Sequence, residues 1–457
     1  MRDDRPACRR HDPRQGQAPV SRRARADAAT GGTASFARLE SEVRVYCRDF
    51  PAVFARARGA ELFDEEDRRY LDLLAGAGVL NYGHNPPEIV AAVSGYLADG
   101  GIVHALDLHT VAKRRFLDAF ERHILAPRNL DYKIQFTGPT GTNAIEAALK
   151  IARRVTGRHA VIAFTNGYHG VSLGALATTG NAAKRRAAGI PLGGVDRLPF
   201  DGYFGGEIDT AAYLAHMLAD PGSGIDPPAA ILLEVVQAEG GINVASDAWL
   251  RSIAEIARAH DALLIVDDIQ AGCGRTGSFF SFEKSGIRPD IVCLSKAIGG
   301  MGLPMSLVLM APEHDCWRPG EHNGTFRGHN LAFVAATAAI ENHWCDERLE
   351  RRIAASAAQL DARLRALPGH GRPGGFELRG RGMIRGLAWR DPHVAGRVSA
   401  AAYARGLIVE TCGPHSEVLK LLPPLTITAA EIDEAADLLG EAIAEVVPAP
   451  ATALETA

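Results

Sequence analysis

Cysteine is scarce and scattered in this chain of 457 residues: there are seven (Cys8, Cys47, Cys273, Cys293, Cys316, Cys345 and Cys412) and no CxxC pair. An odd, dispersed set argues against a disulfide framework and against a zinc cluster, and it fits a reducing cytoplasm. Long apolar runs are missing as well. Nothing approaches the roughly 18 residues that suggest a membrane-spanning helix, and the first residues lack a hydrophobic signal core. Strong charge of either sign is absent: a net charge of -4, with 47% hydrophobic and 23% charged residues, gives no reason to expect nucleic acid or an anionic membrane as partner. A small polar solute is the expected ligand. No HExxH, EF-hand pattern or His/Cys cluster is present, and the isolated "HALDLH" has no ligand spacing, so no metal is expected.

The chain is long enough for two or more domains. Its head, residues 1–35, carries eight arginines and four aspartates with hardly any bulky apolar residue, and reads as a disordered extension. A lead-in follows over 36–80, where "AVFARARGAELFDEEDRRYLDLLAG" reads as strands joined at the polar "DEED". From 81 to 344, helical patterns such as "EIVAAVSGYLADG" and "TVAKRRFLDAFERHIL" alternate with short apolar runs: "HAVIAF", "AAILLEVV", "ALLIVDD", "DIVCLS" and "MSLVLM". Runs apolar on both faces and separated by helices predict an α/β fold with a mostly parallel sheet covered on each side. Residues 345–457 change texture, with the helix "RLERRIAASAAQLDARLRAL", strand-like "GMIRGLAW" and "GLIVET", and a last helix opening at Thr428 and Glu431 with capping-box spacing. This predicts a smaller α/β domain, with a frayed Ala-rich tail.

Four stretches carry chemistry. In "DIVCLSKAIGG" a buried strand ends at Lys296, which must snorkel to water, find a counter-charge or bond covalently. In "FTGPTGTNAIEAALKIARR" the spacing of Ile145, Leu149, Ala152 and Val155 sets Gly141, Thr142 and Asn143 at a helix N-terminus; this is either a plain turn or a phosphate seat, though no Walker A loop. "ALLIVDDIQAGCGRTG" ends four apolar residues in Asp267 and Asp268, carboxylates that need solvent or a cationic or donating partner. "FTNGYHGVSLGALATTG" puts Tyr168 and His169 between glycines, where an aromatic ring packs or offers a face to a planar ligand. Together they ask for a phosphate, a stackable ring, a ring nitrogen beside a carboxylate, and an aldehyde for a lysine. Pyridoxal 5'-phosphate has all four.

At these residues the chain resembles the class III aminotransferases of the fold-type I pyridoxal phosphate enzymes. "DDIQAGCGRTG", "GPTGTNAIEAALKIARRVTGR" and "RPGEHNGTFRGHN" carry the resemblance, which runs from about 36 to 447. It implies Lys296 as the Schiff-base lysine and Asp267 as the partner of the pyridine nitrogen. Ile269 would lie under the ring, Gln270 near its phenolic oxygen and Tyr168 on the opposite face. Gly141 and Thr142 would hold the phosphate, joined by Thr325 of a neighbouring subunit, so the resemblance implies a homodimer.

Three positions depart from the family. Asn143 stands where relatives usually carry glutamate, and their "GEGG" or "GEAG" reads here as Ala238, Glu239, Gly240 and Gly241. Lys420 stands before "PPL" where ornithine-type relatives have arginine, so carboxylate recognition must rely on a point charge, with help from Arg327. The wording is most similar to the branch that moves an amino group from L-glutamate to L-aspartate 4-semialdehyde, which shares this lysine, with Glu239, Lys420 and Arg327 implied as substrate contacts. Ornithine-, acetylornithine- and 4-aminobutyrate-type aminotransferases, a semialdehyde aminomutase and a catalytically silent cofactor-binding protein are the alternatives.

Overall fold

A computed structural model describes residues 32–447. The head read as a disordered extension lies, up to residue 31, outside the described residues, as does the tail from 448. Ala34 and Ser35, counted with that head, open a short helix, Ala34–Leu39.

The apolar runs of the middle region form one seven-stranded sheet. Its order is Lys133–Phe136, Leu307–Met310, Ile291–Leu294, Leu263–Asp267, Ala230–Leu233, Val161–Phe164 and Val195–Leu198. The five strands from Ile291–Leu294 to Val195–Leu198 pair in parallel. Leu307–Met310 alone runs against its neighbours, antiparallel to both Ile291–Leu294 and Lys133–Phe136. The predicted mostly parallel sheet is therefore observed. Strands Lys133–Phe136 and Val195–Leu198 were not recognised in the sequence: each is short, only partly buried and interrupted by polar residues.

Continuous apolar runs form here because both faces are covered. Val161, Ala230, Leu232, Leu263, Ile265, Ile291 and Cys293 pack with Ile145, Leu149 and Ala152 of the helix Gly141–Thr156. The alternate residues Ile162, Phe164, Ile231, Leu233, Leu264 and Val266 face the other way, in the core that holds Trp249, Leu250 and Ile253 of the helix Asp247–Ala259. Each such fully buried aliphatic side chain contributes about 1.5–3 kcal/mol of transfer free energy. Slipping one residue in register would exchange the two faces.

The antiparallel pair Val236–Gln237 and Asn243–Val244 and two four-stranded sheets complete the described sheets. One is the antiparallel set Phe376–Arg381, Ile384–Trp389, Val418–Leu421 and Glu410–Cys412, packed by the helix Pro392–Ala404. The other joins Phe54–Arg58, Glu61–Asp64 and Arg69–Asp72 to Leu407–Ile408 from the far end of the chain. The turn at "DEED" forms as expected, with Asp64 Oδ1 accepting the N–H groups of Glu66 and Arg68. "GLIVET", which reads as a single strand, divides at Val409 between the two sheets. The last helix, Ala429–Val446, opens with the expected capping box of Thr428 and Glu431. Among the described residues no helix is long and apolar enough to cross a membrane.

Candidate active site

The parallel strands release their chains at one edge of the seven-stranded sheet, where such folds collect ligands. A cavity of about 340 Å³ opens there, lined by Gly141, Thr142, Tyr168, His169, Glu234, Asp267, Ile269, Gln270 and Lys296 among others. The residues assigned to the cofactor from the sequence meet in it, with the exception of Thr325.

Lys296 directly follows the buried Ile291–Leu294 strand and Ser295, and opens a single 3-10 turn. Its φ of 53° is left-handed, a conformation that costs a residue with a side chain and persists where the surroundings impose it. Ser295 helps impose it by donating its hydroxyl to Met305 O at 3.0 Å. Burial pushes the ammonium of Lys296 below its usual range, against the opposing pull of Glu239. The amine is thereby readied as a nucleophile.

Asp267 ends the neighbouring strand and is 5% exposed. Its Oδ2 lies 2.8 Å from Nδ1 of the buried His169, and its Oδ1 accepts the Ile269 N–H at 3.2 Å. The partner that a buried carboxylate demands is thus His169, which the sequence reading placed in the loop without a role. Asp268, one residue on, turns to the other side. Its Oδ2 accepts the Ser281 N–H at 3.0 Å while its Oδ1 has no hydrogen-bond partner among the described residues, and burial pushes its carboxyl up to about 7. Adjacent acids thus meet opposite surroundings.

At the start of the helix Gly141–Thr156, Thr140 gives no side-chain cap; its hydroxyl bonds Asn143 Oδ1 at 2.8 Å instead. Among the described residues nothing accepts the N–H of Gly141 or Thr142. Two free donors at the positive end of a 16-residue helix suit an anion. A Cβ at Gly141 would stand 3.0 Å from Ile269 Cδ1, so a larger residue there would press that side chain aside. Tyr168 holds its place through its N–H, which donates to Glu234 Oε1 at 2.8 Å. The Gln270 amide donates to Ala77 O at 2.7 Å.

Glu234 was missed in the sequence. Burial first, and then the nearby Asp267, raise its carboxyl well above the usual range. A charged residue inside "ILLEVV" was the available signal, since an acid in a buried run must be neutralised or paired.

Beyond the cavity lining lies a cluster that joins the C-terminal sheet to the turn after Val236–Gln237. Lys420 is fully buried, with its Nζ 2.5 Å from Glu239 Oε1 and 3.0 Å from Glu410 Oε1. Burial alone would lower its ammonium, yet the two carboxylates hold it above its ordinary range. Burial likewise works against Glu239, and Lys420 and Lys296 overcome it and pull that carboxyl down. Glu410 was not foreseen, although it faces Lys420 directly across the ladder. Thr325 and Arg327 stand elsewhere: Thr325 is exposed, its C=O accepting from His104 at 2.9 Å. Arg327 lines a separate surface cavity with Asp107 and Trp317. Within one chain neither reaches the Lys296 cavity.

The "GRTG" arginine has a structural use. Arg275 is fully buried and bonds Asn81 Oδ1, Met383 O and Pro423 O. It fastens this edge of the sheet to the C-terminal segments.

The family model of the class III aminotransferases matches residues 44–443. The chain belongs to that family. This aminotransferase is 53% identical over 411 residues to the diaminobutyrate--2-oxoglutarate transaminase of Streptomyces avermitilis, covering 90% of the present chain and 97% of that one. It is 54% identical over 399 residues to the Vibrio cholerae protein of the same name, with 87% and 96% covered. Among solved structures it is similar to ornithine aminotransferase of Toxoplasma gondii, which carries pyridoxal phosphate at partial occupancy in its active site. The TM-score is 0.78 at 26% identity, with 91% and 95% of the two chains covered. The aminotransferase has the fold-type I architecture of these neighbours. Its cavity fits the same cofactor: free N–H donors suit a phosphate, Tyr168 offers a ring face, Asp267 a carboxylate and Lys296 a buried amine.

Proposed function

We propose that this pyridoxal phosphate-dependent aminotransferase moves the amino group of L-glutamate to L-aspartate 4-semialdehyde, giving 2-oxoglutarate and L-2,4-diaminobutyrate. The observation that carries the substrate pair is the identity of 53% over 90% of the chain to a protein named for diaminobutyrate and 2-oxoglutarate. Bound pyridoxal phosphate supplies an aldehyde for an amine and a ring that draws electrons from the carbon bearing it. In this reading Lys296 Nζ holds the cofactor at rest and, when freed, moves a proton at that substrate carbon as base and then as acid. Asp267, held by His169, presents a carboxylate to the ring nitrogen. Gly141 and Thr142 give N–H donors to the phosphate, while Ile269 and Tyr168 enclose the ring and Gln270 lies at its edge.

Lys420, Glu239 and Arg327 are assigned to the substrate. The buried ammonium of Lys420 supports that role, since it lies close enough to act electrostatically on Lys296 and has acidic partners that a carboxylate could replace. Thr325 is assigned to the phosphate of a second copy, in a cytoplasmic homodimer. The exposed Thr325, beside Phe326 at 64% exposure and the apolar Ile102, Leu106 and Leu108, supports a face that a second copy covers. Incubating purified enzyme with L-glutamate and L-aspartate 4-semialdehyde and identifying the amine formed tests the reading. L-2,4-Diaminobutyrate is expected; turnover of ornithine or 4-aminobutyrate with none of the semialdehyde would replace it by a neighbouring ω-aminotransferase activity.

A further inference from the structure

Beside the free N–H groups of Gly141 and Thr142 runs a chain of three oxygens that the reading above leaves unused. Thr142 Oγ1 lies 2.5 Å from Ser172 Oγ, and Ser172 Oγ lies 2.5 Å from Glu146 Oε1. The same Glu146 oxygen accepts the N–H groups of Gly174 at 2.8 Å and Ala175 at 3.0 Å. Glu146 sits one turn into the helix that begins at Gly141, and Ser172 lies a few residues beyond Tyr168 and His169. The acid thus ties the helix start to the loop that carries the aromatic ring.

Donor counting fixes the order of the chain. A carboxylate can only accept, so Ser172 gives Glu146 its proton and takes the proton of Thr142 in return. The Ser172 N–H, 3.3 Å from Thr142 Oγ1, holds that oxygen from the same side. The Thr142 hydroxyl is therefore committed to Ser172, and the donors left facing the cavity are the backbone N–H groups. Two glycines allow this approach: a Cβ on Gly170 would collide with Thr142 Oγ1, and one on Gly174 with Glu146.

We propose that Ser172 and Glu146 are positioning residues for the cofactor phosphate: their bridge stops the Thr142 side chain from turning across the free N–H groups of Gly141 and Thr142. The proposal rests on the reading of those two residues as the phosphate seat. Without the bridge, Thr142 is free to sample its other staggered rotamers over the seat.

The test separates phosphate from ring. Full-length protein stripped of cofactor is titrated with pyridoxal 5'-phosphate and with pyridoxal, which lacks the phosphate, following ring absorbance. S172A keeps Glu146 bonded to Gly174 and Ala175, so the local fold is retained, and its melting temperature is checked against wild type. Loss of a bridge that ends on a charged group is expected to weaken pyridoxal 5'-phosphate binding about tenfold. Pyridoxal binding should stay unchanged, and S172T, which restores the hydroxyl, should bind like wild type. Unchanged pyridoxal 5'-phosphate affinity in S172A, or an equal loss for both compounds, would overturn the positioning role. A wild-type protein that does not prefer the phosphorylated compound would instead overturn the phosphate seat, and with it this proposal.

Discussion

The proposed cofactor end and substrate end of the site are built by different means. At the cofactor end, Gly141, Thr142, Tyr168, Asp267 and Lys296 each sit where a strand of one sheet gives way to a loop or helix, and all converge within a single chain. At the substrate end, Lys420 comes from the C-terminal sheet and is already engaged by Glu239 and Glu410, while Arg327 and Thr325 lie on a different surface. A site for a group that stays is preformed. On the proposed reading, the site for groups that come and go is closed by a replaceable ion pair, and Thr325 would come from a second copy.

Replacing Lys296 attacks the cofactor end where it is strongest. K296A should lower amino-group exchange by at least about a thousandfold, and borohydride followed by peptide mapping should find no cofactor attached; attachment at another lysine would dissolve the contrast. K420M removes the cation that pairs with both Glu239 and the buried Glu410, at a cost of about 3–5 kcal/mol. Chemical denaturation of the variant would measure it, and an unaltered midpoint would mean the cluster is solvated. H169N shortens the reach to Asp267 and should slow exchange roughly tenfold, the worth of a hydrogen bond to a charged group. It should leave the KM for glutamate little changed, since it acts on the cofactor end alone. A raised KM with an intact kcat would place His169 with the substrate instead.

The smallest effect concerns Asp268, which touches neither end. Its folded-state carboxyl titrates at about 7 against an ordinary 3.8. Between these values the folded chain keeps a proton that the unfolded chain has lost, so this group's contribution to stability falls as pH rises through the window. D268N lacks that loss. The melting temperature of D268N minus that of wild type should therefore climb from pH 4 to pH 7 and level off above it. A flat difference would show Asp268 ionised throughout.

The same contrast governs what could be read from the sequence. The cofactor end was legible because each residue stands in a short local pattern: an apolar run, then a polar residue, then glycine. Lys296 after "IVCL" and Asp267 after "LLIV" announce themselves in four letters. His169, Glu410, Glu146 and Ser172 did not, because their meaning lies in partners distant in sequence, such as His169 with Asp267 or Glu410 opposite Lys420. A trace was present in "LIVETC" and "VLKLL", each with one charge in an apolar run, and two such runs of opposite sign ask for each other. The division of "GLIVET" could not be seen, since periodicity describes one strand and says nothing about which sheet receives it.

That division has a consequence for synthesis. Leu71 and Leu73 donate their N–H groups to Gly406 and Ile408, so the third strand of the N-terminal meander is made early and paired late. While the ribosome works through the intervening chain, an apolar edge stands open to any other strand, and edges of that kind seed aggregation. An early strand is thus among the last to be sealed, and a chain that stopped short of Leu407 would leave that seam unsewn.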